Sequence, residues 1–243
     1  MPAHPVDVPL RLAVTGTDTG VGKTLVTCAL IAALRARGLD VAAMKPVETG
    51  ITPEDPATDA ARLRAAAGAR HDADDVCPVT YREPLAPLVA AERAGRPVEL
   101  ARLDAARARL EAAADALIVE GAGGLLVPFA RGTGGAVVDF AALAVRWALD
   151  LIVVAGDRLG VLNHALLTVR EAERRGLRVR MVVLNAFASS AADVAATTNL
   201  ATLRTLLPDV PVLPFPHVAP DARDDLDRLA AHAAPLVDVL TPR

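Results

Sequence analysis

The chain has 243 residues, 53% of them hydrophobic and only 2% aromatic, so one large core of Ala, Val and Leu is within its reach. This composition excludes a disordered polymer and an aromatic-rich β sandwich. A formal net charge of -3 excludes the broad positive field of a dedicated nucleic-acid binder and leaves a small molecule as the expected partner.

Residues 1–9 contain three prolines and read as a flexible N-terminal tail, with neither the basic start nor the apolar core of a signal peptide. One domain is expected over 10–243. Short apolar runs at 10–15, 40–45, 116–120, 151–156, 179–185 and 210–215 are bounded by turn residues and read as strands. Between them, 23–37, 58–67, 99–113, 135–149, 162–175 and 191–207 carry helical spacing. The region 46–98 is the least regular and holds many of the prolines. Strands alternating with helices predict an α/β fold with a mostly parallel sheet covered by helices on both faces. Ligands of such sheets bind beyond the carboxyl ends of the strands, which draws attention to Thr15 onward, Lys45, Glu120, Gly156 and Asn185. No apolar stretch reaches membrane-spanning length, so no membrane partner is expected. Cys28 and Cys77 lack metal-ligand spacing and fit a reducing, cytoplasmic location.

The stretch "GTDTGVGKT" at 16–24 joins the first strand to the first helix. Backbone N–H groups of Gly20, Val21 and Gly22, with Leu25 following in the helix, can face an anion, helped by the positive helix end. Lys23 adds a point charge for the outer phosphates, and the Thr24 hydroxyl suits Mg2+. This is a P-loop with a twist: the usual G-x-x-x-x-G-K-[ST] spacing puts glycine at 17, where Thr17 stands. From position alone Lys45, before Pro46, is either a crevice lysine or a solvated strand end. Thr49 and Gly50 make a turn as readily as a site. Asp59 stands where helix caps are common. Glu120 ends an apolar strand, the place from which nucleoside triphosphatases hold a metal, or is simply a charged terminus. Gly123 and Gly124 allow a ligand close to the backbone. Asn185 can donate to and accept from an adenine edge, and Asn163 reads first as a helix N-cap.

In order, "VTGTDTGVGKT", "KPVETG", "TDA", "VEGAGG" and "LGVLNHA" resemble the dethiobiotin synthetase family of the biotin pathway, from about residue 12 to 175. Its deviant P-loop places the first glycine one position early, as Gly16 is here. The resemblance implies a single-domain P-loop NTPase fold. It further implies a cyclo-ligase that turns 7,8-diaminopelargonate, CO2 (as bicarbonate) and MgATP into dethiobiotin, ADP and phosphate. It makes Lys45 the active-site lysine beside Lys23, Thr19 a carbamate contact, and Thr49, Gly123 and Gly124 part of the substrate site. Thr24, Asp59 and Glu120 become the magnesium group, and Glu120, Gly121, Ala122 and Gly123 line the phosphates. Asn185, Pro216, His217 and Val218 fall to the adenine side, with Arg223 a further nucleotide contact. Asn163 of a neighbouring subunit takes the distal substrate carboxylate, which implies a homodimer with a shared site.

The competing expectation is a nucleotide-switched scaffold ATPase of the partitioning or septum-positioning type. Such proteins carry a signature lysine where this chain has Asp18. Residues 219–234 are rich in Asp and offer no basic apolar face for a membrane.

Overall fold

A computed structural model describes residues 9–52, 58–187 and 194–241. The expected tail, but for Pro9, therefore lies outside the described residues. In chain order the elements are β1 (Leu10–Gly16), α1 (Lys23–Ala36), β2 (Val41–Met44), β3 (Val47–Thr49), α2 (Asp59–Ala66), α3 (Ala73–Val76), β4 (Val79–Tyr81), α4 (Pro87–Arg93) and α5 (Leu100–Ala112). They continue as β5 (Ala116–Gly124), β6 (Pro128–Arg131), β7 (Val137–Asp139), α6 (Phe140–Arg146), β8 (Asp150–Gly156), α7 (Val161–Arg174), β9 (Val179–Asn185), α8 (Val194–Leu206), β10 (Val212–Phe215) and α9 (Leu226–Leu240).

Six strands form one sheet in the order β10-β9-β8-β1-β5-β2, every pair parallel. Side chains alternate across it. Leu12, Val14, Ile118, Ile152 and Val154 face a core shared with α1 and α9. Ala13, Leu117, Val119, Leu151 and Val153 face the opposite core, closed by residues of α5, α6 and α7. Small aliphatic side chains on central strands allow helices to pack on both faces, which is how a chain this poor in aromatics still fills two cores.

The chain leaves β1 toward β2 on one side and, after β5, crosses to β8 on the other. This reversal opens a crevice at the carboxyl end of β1, where the loop 16–22 enters α1. Region 46–98, expected to be irregular, holds α2, α3, α4 and a parallel pair of short strands, β3 and β4. The helix expected over 135–149 starts only at Phe140, because Asp139 caps it, accepting from the Ala142 amide at 2.8 Å.

Candidate active site

The loop that ends in Lys23 and Thr24 depends on two glycines. Gly22 precedes α1 with φ 93°, a left-handed conformation, and a Cβ there would lie 2.2 Å from the Asn185 amide nitrogen. Gly16 ends β1 where a Cβ would meet the Asp18 carbonyl at 2.6 Å. With both side chains absent the loop curls over the start of α1, and the Lys23 amine reaches back to that carbonyl at 3.4 Å. Lys23 is only 7% exposed. Burial pushes its pKa below the usual lysine value, and the nearby charge of Lys45 pushes the same way.

Lys45 follows β2 directly and is 3% exposed. Its ammonium donates to Glu120 Oε1 at 2.6 Å and to Asp59 Oδ2 at 2.8 Å. Burial alone would lower its pKa, but Glu120 and then Asp59 outweigh that and hold it above the ordinary value. The Thr24 hydroxyl donates to the same Glu120 oxygen at 2.9 Å. Thr24 of α1, Glu120 of β5, Lys45 just after β2 and Asp59 of α2 thus form one row. Glu120 is fully buried, and its other oxygen, Oε2, has no hydrogen-bond partner. For Asp59, burial raises the pKa, yet the Lys45 charge and hydrogen bond prevail and hold it below the usual carboxylate range.

A cavity of about 410 Å³ opens over Thr24, Lys45 and Asp59 of this row. Thr19, Gly20, Gly22, Lys23, Thr24 and Leu25 line it, together with Lys45, Thr49 and Asp59. Ala122 and Gly123 of β5 join them, as do Asn185, His217 and Val218. Asn185 donates to the Val21 carbonyl at 2.9 Å, which leaves its buried Oδ1 without a partner. Val21 itself packs in the core, and none of Glu120, Gly121 and Pro216 lines the cavity, Glu120 lying fully buried beneath it against Thr24 and Lys45. Gly124 lies outside it too, lining a separate groove with Gly16, Leu126 and Leu167.

Asn163 is not the helix cap expected of it. Gly160, at φ 94°, precedes α7 as the cap residue, and Asn163 stands exposed in the first helical turn, away from the cavity of its own chain. Six more residues with no firm role from the sequence line the cavity as well: Val47, Glu48, Arg62, Ala186, Phe187 and Arg223. Arg223 was marked only by resemblance, and Arg62 reads in sequence as an ordinary helical surface charge. A hydrogen bond and ion pair at 3.4 and 3.3 Å tie Arg62 to the Arg223 carbonyl and Asp224.

A family model described as AAA domain matches residues 11–215. An ATP-dependent dethiobiotin synthetase BioD of Anaeromyxobacter dehalogenans is 51% identical over 175 residues, 72% of this chain and 75% of the relative. The protein of the same description from Bacillus cereus is 41% identical over 172 residues, 71% of this chain and 69% of the relative. Among solved structures, the Aquifex aeolicus MinC:MinD cell division complex matches with TM-score 0.52 and 14% identity, over 93% of this chain and 95% of that one. The Cyanthece apo McdA structure matches with TM-score 0.51 and 14% identity, over 95% of this chain and 98% of that one. At that identity the structural likeness speaks for the fold alone. The two relatives, each covering more than two thirds of the chain at 41–51% identity, identify it as a member of the ATP-dependent dethiobiotin synthetase family.

Proposed function

We propose that this chain carries out the carboxylation and ring closure of 7,8-diaminopelargonate with CO2, consuming ATP and releasing dethiobiotin, ADP and phosphate. One substrate amine adds to CO2 and loses a proton, giving a carbamate. A carbamate oxygen attacks the γ-phosphorus as ADP leaves, and the second amine then attacks the carbonyl carbon and expels phosphate. The observation that carries this reading is the buried Lys45 ammonium, held by Glu120 and Asp59 across a cavity from the phosphate loop. Such chemistry gathers carbamate and triphosphate charge in one small volume, so it calls for fixed cations and N–H donors more than for a strong nucleophile. Lys23 and Lys45 supply the cations, with Thr19, Thr49 and Gly123 toward the substrate and Asn185 toward the base.

A magnesium ion fits the donor set. Thr24, Asp59 and Glu120 offer hard oxygens, and Glu120 Oε2 is a buried acceptor with no partner. Among the described residues no three Asp, Glu, His or Cys side chains form a metal cage. Two carboxylates and a hydroxyl agree with an ion that keeps waters and phosphate oxygens as its other ligands. When bound, magnesium supplies neutralising charge for the β- and γ-phosphate oxygens. Lys45 then serves to hold Glu120 and Asp59 in place and to face the carbamate.

The reading includes a homodimer in which Asn163 of one copy binds the substrate carboxylate at the site of the other, and its exposure outside its own cavity supports this. A cytoplasmic setting agrees with the two free thiols and with the absence, among the described residues, of any helix long and apolar enough to cross a membrane. The deciding experiment incubates the pure protein with diaminopelargonate, bicarbonate and MgATP and looks for dethiobiotin by mass. No product, with ATP hydrolysis stimulated instead by DNA or lipid, would overturn the proposal in favour of a scaffold ATPase.

A further inference from the structure

Glu48 belongs to none of the roles given above, yet it is only 5% exposed and both of its carboxylate oxygens are engaged by one helix end. Oε1 accepts from the Asp59 amide at 2.6 Å, and Oε2 from the Ala60 amide at 3.1 Å. The Thr58 side chain accepts from the Ala61 amide at 3.1 Å. The first three N–H groups of α2, which no preceding turn can satisfy, are therefore all bound by side chains. A carboxylate in this place also meets the positive end of the helix.

The residue whose amide Glu48 grips is the one whose carboxylate reaches Lys45 at 2.8 Å. Lys45 in turn reaches Glu120 at 2.6 Å, and Thr24 donates to that same oxygen at 2.9 Å. β3, which carries Glu48, follows Lys45 after one residue, so one short segment holds α2 twice. Lys45 binds the side chain of Asp59, and Glu48 binds its backbone.

We propose that Glu48 is a positioning residue: by clamping the first two amides of α2 it fixes where the Asp59 carboxylate meets Lys45, and so sets the row that runs on to Glu120 and Thr24. This rests on the reaction proposed above for what that row does.

The test compares wild type, Glu48→Ala, Glu48→Gln, Asp59→Asn and the double variant Glu48→Ala/Asp59→Asn, by steady-state kinetics and by calorimetric titration of ADP with and without Mg2+. In Glu48→Ala, kcat falls about tenfold or more while KM for ATP stays within about twofold. Glu48→Gln keeps one acceptor oxygen and recovers part of that loss. The gain in ADP affinity brought by Mg2+ shrinks in Glu48→Ala as it does in Asp59→Asn. The double variant is no worse than Asp59→Asn alone, because Glu48 acts through that carboxylate. Losses that add in the double variant, or a Glu48→Ala protein with the kcat and metal response of wild type, overturn the proposal. Should Glu48→Ala fail to fold, Glu48→Gln alone and in the Asp59→Asn background carries the same comparison. A wild-type protein that makes no dethiobiotin overturns the reaction instead, and the ADP titrations, which need no diamine, still decide the role of Glu48.

Discussion

Two lysines lie under one cavity, and their surroundings push them in opposite directions. Lys23 has lost water and faces another cation, so its charged form is disfavoured until a polyanion arrives. Lys45 has lost water too, but Glu120 and Asp59 keep it an ammonium across the whole working pH range. Removing Lys45 therefore acts twice. Lys45→Ala is expected to lower turnover about a hundredfold or more while MgATP binding largely survives on Lys23 and the loop amides. It also leaves the buried Glu120 carboxylate without its cation, a loss of about 3–5 kcal/mol of stability. Adding Glu120→Gln to that variant should restore much of the stability and none of the turnover, as read by thermal unfolding alongside the product assay. Turnover that persists in Lys45→Ala returns this lysine to a purely structural role.

At the scale of elements, α5 and α6 are fastened by one carboxylate. Asp104 accepts from the Arg146 guanidinium at 3.1 and 2.7 Å and from the Trp147 indole N–H at 2.7 Å. The Arg146 hydrogen bonds hold its pKa below the usual carboxylate value; partial burial opposes them and Trp147 adds to them. Its folded-state pKa is depressed, so the stabilisation is present above the ordinary aspartate value of about 3.9 and is lost as pH falls through the native one. Trp147 is the sole tryptophan, so its fluorescence reports this event directly. Asp104→Asn should flatten the acid limb of the stability curve below about pH 4, remove the fluorescence step there, and cost about 1 kcal/mol at neutral pH. An unchanged acid limb would show that the clasp contributes nothing.

Which elements are legible in the sequence follows from their length and chemistry. The six strands of the main sheet are short apolar runs stopped by turn residues, and each is visible without the structure. β3, β4, β6 and β7 have three or four residues apiece, too few to display a period, so the region after β2 reads as irregular. α9 is masked by an Asp-rich start, where Asp225 is in fact its N-cap, and by Pro235 inside it. At the site, residues on strand ends and in the loop announce themselves by position. Glu48 does not, because its partners are helix amides eleven and twelve residues further on, and only folding brings them to it.

The whole molecule carries one more consequence of its apolar composition. Leu126 is 52% exposed and Leu167 60%, and both line the groove that holds Gly124 behind the phosphate loop. Leu159, 87% exposed, lies just before α7 and Asn163. Large aliphatic side chains left in water gain about 25 cal/mol for each Å² they bury, and in the homodimer proposed above a second copy of the chain would cover them. Such a contact would also bring the first turn of α7 to a neighbour, as the shared substrate site proposed above requires. Leu167→Asp puts a charge into that contact. It is expected to sediment as a monomer, to bind ATP as wild type does, and to lose dethiobiotin formation. Mixing Lys45→Ala chains with Asn163→Ala chains should regain activity that neither has alone, because each mixed dimer contains one site with both residues intact. A Leu167→Asp protein that remains dimeric removes this face from the interface, and mixed dimers that stay inactive end the shared-site reading.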